Sequence, residues 1–342
     1  MYIPQKKYYP IFIALFILLI AIAIFNIYTG SISIPFKEIW NVVTNNPNSS
    51  ENYQYIITEY RLPKTVTSIL VGIGLGISGL LMQTFFRNPL AGPFVLGISS
   101  GASLGVALLI MGGSFFGSLP YLYHFSIPLA ASLGSFFVLS IVMITARNIR
   151  NTMSILIIGL MFGSFTTAII SVLSYFSSAT ELQQYIFWSF GSLGNLQWSE
   201  LYLLIGIVSI SAVGLLFIIK PLDALLLGEN YATSLGISIK KTQSIIFIVT
   251  SLLTGSITAF VGPIAFIGLA IPHITKLIFQ TSNHKILLPA VGIIGAIVML
   301  ICDSLTHISV GSKTLPINAI TSIFGAPIVI WLLVSKSKKI GS

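Results

Sequence analysis

Apolar residues run along this chain in long blocks separated by short polar interruptions, and the length of the blocks is what the pattern fixes first. Crossing the hydrocarbon of a bilayer takes about 20 apolar residues in a helix. Ten blocks of that kind can be drawn, at 11–29, 65–86, 93–113, 125–146, 152–176, 201–219, 244–261, 263–279, 286–303 and 316–335. The pattern predicts an all-α polytopic membrane protein of about ten transmembrane helices, forming a single transmembrane domain over residues 1–342. One boundary has two readings. Gly262-Pro263 interrupts an almost continuous apolar stretch, so nine spans and a re-entrant segment are the alternative there.

One polar interruption has a pattern of its own. Between the sixth and seventh spans, Lys220 to Lys241 reads as two very short helices, each closed by a glycine. Pro221 suits a first helical turn, where its missing N–H would have no partner anyway. Gly228 can take the left-handed conformation that ends that helix. Glu229 or Asn230 then starts the second, which runs to Leu235 and stops at Gly236, with Ala232 and Leu235 on one exposed face. Two stubby helices outside a membrane bundle suit a socket on a soluble partner.

Composition agrees with the block pattern. Only 7% of residues are charged and 55% are hydrophobic, with a mean hydropathy of +0.97, as in an integral membrane protein. The net charge of +9 needs no nucleic acid to explain it. Cytoplasmic loops collect Lys and Arg. With the N-terminus inside, the inner segments hold Lys6, Lys7, Arg87, Arg147, Arg150, Lys220, Lys240, Lys241, Lys276, Lys285, Lys336, Lys338 and Lys339. The outer segments hold only Lys37, Arg61, Lys64 and Lys313. Both termini and the Lys220–Lys241 loop are therefore expected on the cytoplasmic side. Lys6 and Lys7 precede the first apolar run without a small-residue cleavage pattern after it, which suits an uncleaved anchor.

Catalytic chemistry is hard to find. The chain has no G-x-x-x-x-G-K-[ST], and His124, His273, His284 and His307 lack metal-ligand spacing, so neither a nucleotide site nor a metal site is expected. Cys302, the single cysteine, permits no internal disulfide and reads as a packed thiol. Gly74-Leu-Gly76-Ile-Ser-Gly79 satisfies G-x-G-x-x-G, but inside an apolar helix, where Ser68, Gly72 and Gly76 make a small-residue ridge for close helix packing. Gly159 and Gly163 read the same way or as path-lining positions. Breaks at Asn88-Pro89, Gly262-Pro263 and Pro272-His273 lie near a candidate translocation path, and their freed backbone groups require partners from protein or a wet cavity. Glu181 to Glu200, with Tyr185, Phe187, Trp188 and Trp198, reads as an amphipathic segment at the outer membrane surface. Asp303, the only acidic residue near a span, falls at an outer end, which disfavours transport driven by an ion gradient.

Several motifs then occur in one order from about Tyr60 onward. They are Arg61-Leu-Pro-Lys64, Asn88-Pro-Leu-Ala91 with Leu96-Gly-Ile-Ser99, Leu227-Gly-Glu-x-x-Ala232-x-x-Leu-Gly236, Gly262 to His273, Leu315-Pro316 and Gly325-Ala-Pro327. Over 60–335 the chain resembles the permease subunit of ABC importers for ferric siderophores, haem and cobalamin. The resemblance implies ten spans per subunit and import of an iron chelate, haem or cobalamin through a path between two permease subunits, a homodimer in preference to a paralogue pair. It implies cytoplasmic ABC ATPases that bind the ATP and Mg, with no cofactor on this chain, and an extracytoplasmic substrate-binding protein. The place is a bacterial or archaeal plasma membrane, the inner one if Gram-negative.

The resemblance also assigns residues. Asp223, Gly228, Glu229, Ala232 and Gly236 would shape or contact the ATPase surface, with the two glycines setting backbone shape. Arg61 and Lys64 would meet acidic residues of the binding protein, and His307 and Lys313 lie where a further basic contact can occur. A secondary transporter or channel driven by an ion gradient is the alternative from another class.

Overall fold

The computed structural model describes residues 8–30, 32–44, 50–112, 126–146, 149, 152–307 and 314–340. Among these residues the chain is helical, without strands. A bilayer imposes this, because every backbone polar group must pair within its own segment or with neighbouring protein. In chain order the helices are α1 (Tyr9–Tyr28), α2 (Phe36–Val43), α3 (Glu51–Ile56), α4 (Leu62–Phe85), α5 (Ile98–Met111), α6 (Ser126–Ala146), α7 (Thr152–Phe176), α8 (Ala179–Ser189), α9 (Trp198–Leu216), α10 (Ile219–Leu227), α11 (Glu229–Ser234), α12 (Ile239–Val261), α13 (Ile267–Phe279), α14 (His284–Thr306) and α15 (Ile317–Ile340). Among the described residues, seven helices are long and apolar enough to cross a membrane. Three shorter apolar ones, Ile98–Met111, Ile267–Phe279 and Ile317–Trp331, occupy the remaining expected spans.

The short spans are short for local reasons. The third begins with a 3-10 turn, Pro93–Leu96, and becomes α-helical only after Gly97 at φ +73°. Between α12 and α13 the stretch 261–267 is a break in the helix. Its backbone leaves the helix at Gly262 (φ +82°) and re-enters one after Phe266, which sits at φ +66°.

Two helices form the centre. In the most apolar stretch of the span that contains α4, 78% of residues are buried, and in that of α14 72%, whereas in α1 the share is 6% and most side chains are exposed or half-buried. The glycine ridge explains how α4 can be central. A Cβ on Gly72 would lie 2.2 Å from Gly295 O of α14, and one on Gly79 would lie 1.7 Å from Gly268 O of α13. The backbones touch there, so only glycine fits. Gly159 of α7 likewise meets Val95 O, which makes it a packing residue. Three hydroxyls inside the bundle turn back on their own helix: Thr67 donates to Pro63 O (2.8 Å), Ser68 to Lys64 O (2.9 Å) and Thr275 to Ile271 O (2.8 Å).

The segment before α4 is more ordered than its composition suggests. α3 runs into α4 through a π-helical turn, Ile57–Arg61, so the second span is one helix from Glu51 to Phe85. α8 carries a capping box in which Ser178 and Glu181 satisfy each other's backbone N–H. Trp198, at the start of α9, donates from Nε1 to Thr58 O (3.0 Å), which ties the predicted aromatic segment to that π-turn.

Candidate functional site

The two ends of α14 mark the two ends of the bundle. At its first turn lies the polar loop. α10 and α11 are the two short helices expected there, with Pro221 in the first turn of α10. Gly228 between them sits at φ +125°, ψ +148°, an extended mirror-image conformation rather than the left-handed turn expected, and Gly236 takes φ +79°. Both positions favour glycine. The exposed face differs from the expected one. Ala232 is fully buried, with Leu222 and Leu225, while Leu227, Tyr231 and Leu235 are exposed. Ala232 faces inward because so short a helix needs an anchor in the bundle, and the small side chain at its middle supplies it. Glu229 is half-buried and opens α11.

Asp223, 39% of its side chain exposed, reaches the start of α14. Its Oδ1 accepts from the His284 backbone N–H (2.9 Å) and lies 2.7 Å from His284 Nδ1. The carboxylate thus caps the N-terminus of α14 from another helix, where the helix dipole favours negative charge. Burial acts to raise the Asp223 carboxyl. The two hydrogen bonds from His284, with the charges of His284 and Lys285, outweigh it and hold the group below its ordinary value. His284 is buried, and its Nε2 lies 2.9 Å from Thr84 Oγ1 at the end of α4. A proton on Nδ1 faces the carboxylate, and Nε2 pairs with the threonine hydroxyl. Sequence alone gives His284 no role, because its partners are 61 and 200 residues away. Its position at the first residue of a span, beside Asn283, is the one signal that could have marked it.

At the opposite end a cleft of about 980 Å³ is lined by Arg61, Lys64, Asp303, His307 and the turn 190–194, among others. Arg61, expected to face outward, is 8% exposed. The π-turn rotates it toward α1, where its guanidinium donates to Ile27 O (2.6 Å), Tyr28 O (2.9 Å) and, at short range, Ile32 O. The first two are end carbonyls of α1 that no intrahelical N–H reaches, so Arg61 is the C-cap of that helix. Gly30 leaves the room, since a Cβ there would stand 2.9 Å from Arg61 Nη2.

Lys64 is also engaged. Its Nζ lies 3.0 Å from Asp303 Oδ1 and 2.8 Å from His307 Nε2. Asp303 lies in the last turn of α14, at the end of the span as expected, yet is 1% exposed, and Asn26 of α1 donates to its Oδ2 (2.9 Å). Thr65 donates to Asn26 Oδ1 (2.8 Å), so α1, α4 and α14 meet in one polar knot. His307 accepts from the ammonium and is therefore neutral. Burial, then Lys64, push its pKa down. Lys313 lies outside the described residues.

Protein groups border the helix breaks. Asn88 Oδ1 accepts from Leu90 N (2.9 Å) and shapes the turn that contains Pro89. Beside Gly262 and Pro263, Ser192 N donates to Val261 O (2.8 Å), and Asn318 Oδ1 accepts from Ala265 N (3.0 Å). Near Pro272, Gln83 Nε2 donates to Leu269 O (3.1 Å), and His273 Nδ1 lies 3.2 Å from the same oxygen. Cys302 is buried within α14. No group of three His, Cys, Asp or Glu side chains fit to hold a metal occurs among the described residues.

Comparison with known proteins identifies the lineage of this arrangement. Residues 17–335 match the FecCD transport family. The chain belongs to that family. The hemin transport system permease protein HmuU of Yersinia pestis is 32% identical over 326 residues, which are 95% of each chain. The vitamin B12 import system permease protein BtuC of Salmonella typhi is 34% identical over 285 residues, 83% of this chain and 85% of that one. A solved structure described as an inward-facing conformation of a metal-chelate type ABC transporter superposes with a TM-score of 0.82 at 29% identity, covering 96% of this chain and all of that one. By family and by fold, this FecCD protein is a multi-pass membrane permease.

Proposed function

We propose that this chain is the transmembrane permease subunit of an ATP-driven ABC importer that carries a metal chelate, haem or cobalamin into the cytoplasm unchanged. A second permease subunit, a copy of this chain, would complete the path. The loop of α10 and α11 would dock on a cytoplasmic ATPase that binds ATP and Mg, with both chain termini on the same side. The cleft at the other end would receive the substrate-binding protein. The observation that carries the reading is the pair α10–α11, whose exposed Leu227, Tyr231 and Leu235 are held out by a buried Ala232. Membership of the FecCD family supports it.

The cleft refines the docking reading. Lys64, with 21% of its side chain exposed, is the more exposed of the two cations that line the cleft, and Arg61 supports the wall behind it. His307 and Lys313 would flank that contact. Asp303, the buried carboxylate of the knot, is neutralised by Lys64 and so offers no free site for a coupling ion.

Affinity purification of the tagged chain from its native membrane in mild detergent tests the reading. Recovery of an ABC ATPase, with transport in vesicles that stops on ATP depletion, is the expected result. Transport that survives depletion, by a chain recovered without an ATPase, would replace it with gradient-driven transport.

A further inference from the structure

α14 is fastened to α4 at three levels. At the loop end His284 Nε2 meets Thr84 Oγ1 at 2.9 Å. Near the middle the backbones touch at Gly72 and Gly295, with no room for a Cβ on either. At the cleft end Lys64 holds Asp303 at 3.0 Å, and Thr65 reaches the same carboxylate through Asn26. Over the 23 residues of α14, roughly 34 Å at 1.5 Å per residue, a slide of either helix would break both polar ends together. Packed cores respond to a push as discrete bodies rather than by continuous deformation.

α10 is attached to this pair through one side chain. Asp223 Oδ1 takes both the first backbone N–H of α14 and its imidazole. Leu222, Ala224 and Leu225 of α10 are buried as well. His284 therefore joins three helices with two ring nitrogens and one amide.

We propose that α4 and α14 move as one transmembrane bar and that His284 is the positioning residue that joins the bar to α10, making events at the loop and at the cleft interdependent. The inference rests on the reading of α10–α11 as the ATPase contact. Reciprocity follows from linkage: a partner that shifts one end shifts the affinity or turnover at the other, by coupling of about 5–150-fold for linked sites.

Stimulation of ATP hydrolysis by the binding protein, measured on the whole complex purified from native membrane and reconstituted without cargo, tests the joint. Wild-type complex should be stimulated. His284→Ala should assemble in equal yield and keep basal hydrolysis, while its stimulation falls about fivefold or more. His284→Asn, which keeps a donor where Nδ1 stood, should recover part of the loss. A merely structural role would lower yield and basal rate together and would show no such split. If His284→Ala does not accumulate, Thr84→Val, which removes only the Nε2 partner, is read by the same ratio. Stimulation unchanged from wild type in the variant that accumulates would overturn the joint. A wild-type complex with no ATPase would instead sink the importer reading, and the joint with it.

Discussion

Lys64 and Asp303 face each other at 3.0 Å across the α4–α14 contact, the carboxylate 2% exposed and the ammonium side chain 21% exposed. The asymmetry sets the cost of losing either partner. Removing Lys64 leaves a buried carboxylate with only Asn26 for company, and breaking a buried pair in that way costs about 3–5 kcal/mol. Removing the charge of Asp303 leaves an ammonium that can reach the cleft water along its own stem. Lys64→Met is thus expected to lower the thermal unfolding midpoint in detergent more than Asp303→Asn, and the double variant should recover part of the loss. Equal effects from the two single variants would contradict this geometry.

Arg61 predicts a stability effect. Its planar fork serves three carbonyls at once, which an ammonium does not match. Hydrogen bonds to charged groups contribute about 1.5–3 kcal/mol each. Arg61→Lys should loosen the end of α1, seen as faster hydrogen exchange at residues 27–30, and should lower the melting midpoint. A variant that melts like wild type would remove the capping role.

The pH response should report His307. Its folded pKa is pushed below the ordinary value, first by burial and then by Lys64. Between the two values the unfolded chain binds the proton and the folded one does not, so stability is full above the unfolded pKa, about 6.5. It is lost as pH falls from there through the folded pKa. The melting midpoint should drop as pH falls below about 6.5, and His307→Gln should flatten that slope. An unchanged slope would place the titration elsewhere.

Glycines at backbone contacts should tolerate nothing larger. Gly72→Ala and Gly79→Ala put a Cβ 2.2 Å and 1.7 Å from a facing carbonyl oxygen. Overpacking costs about 1–3 kcal/mol or more, so both should reduce folded yield by gel filtration. Gly206→Ala in α9, with nothing within 4 Å of the new methyl, should be neutral or slightly stabilising.

On the loop, surface and anchor should separate. Tyr231→Glu and Leu235→Asp change exposed positions and should weaken ATPase co-purification without lowering the melting midpoint. Ala232→Leu, at a fully buried position, should lower the midpoint. Charge reversal at half-buried Glu229 tests the same contact.

The sequence by itself determined the spans, the glycine ridge and the paired short helices. Each is a one-dimensional signal: apolar block length, small residues four apart, and glycines that punctuate a polar loop. It also placed the basic residues, but not their partners. Tertiary structure decided that Arg61 caps α1, because the π-turn Ile57–Arg61 rotates it inward, and one extra residue in a turn leaves no mark on hydropathy. It also decided that Asp303 is buried, since only α1 and α4 together supply the donors that make a carboxylate tolerable there. Ala232 turned inward for a related reason: in a helix of six residues the periodicity is too short to reveal which side faces the bundle, and contact with the bundle makes the choice. His284 became visible only when Asp223 and Thr84, remote in sequence, converged on its two nitrogens, a convergence set by the close packing of α4 on α14.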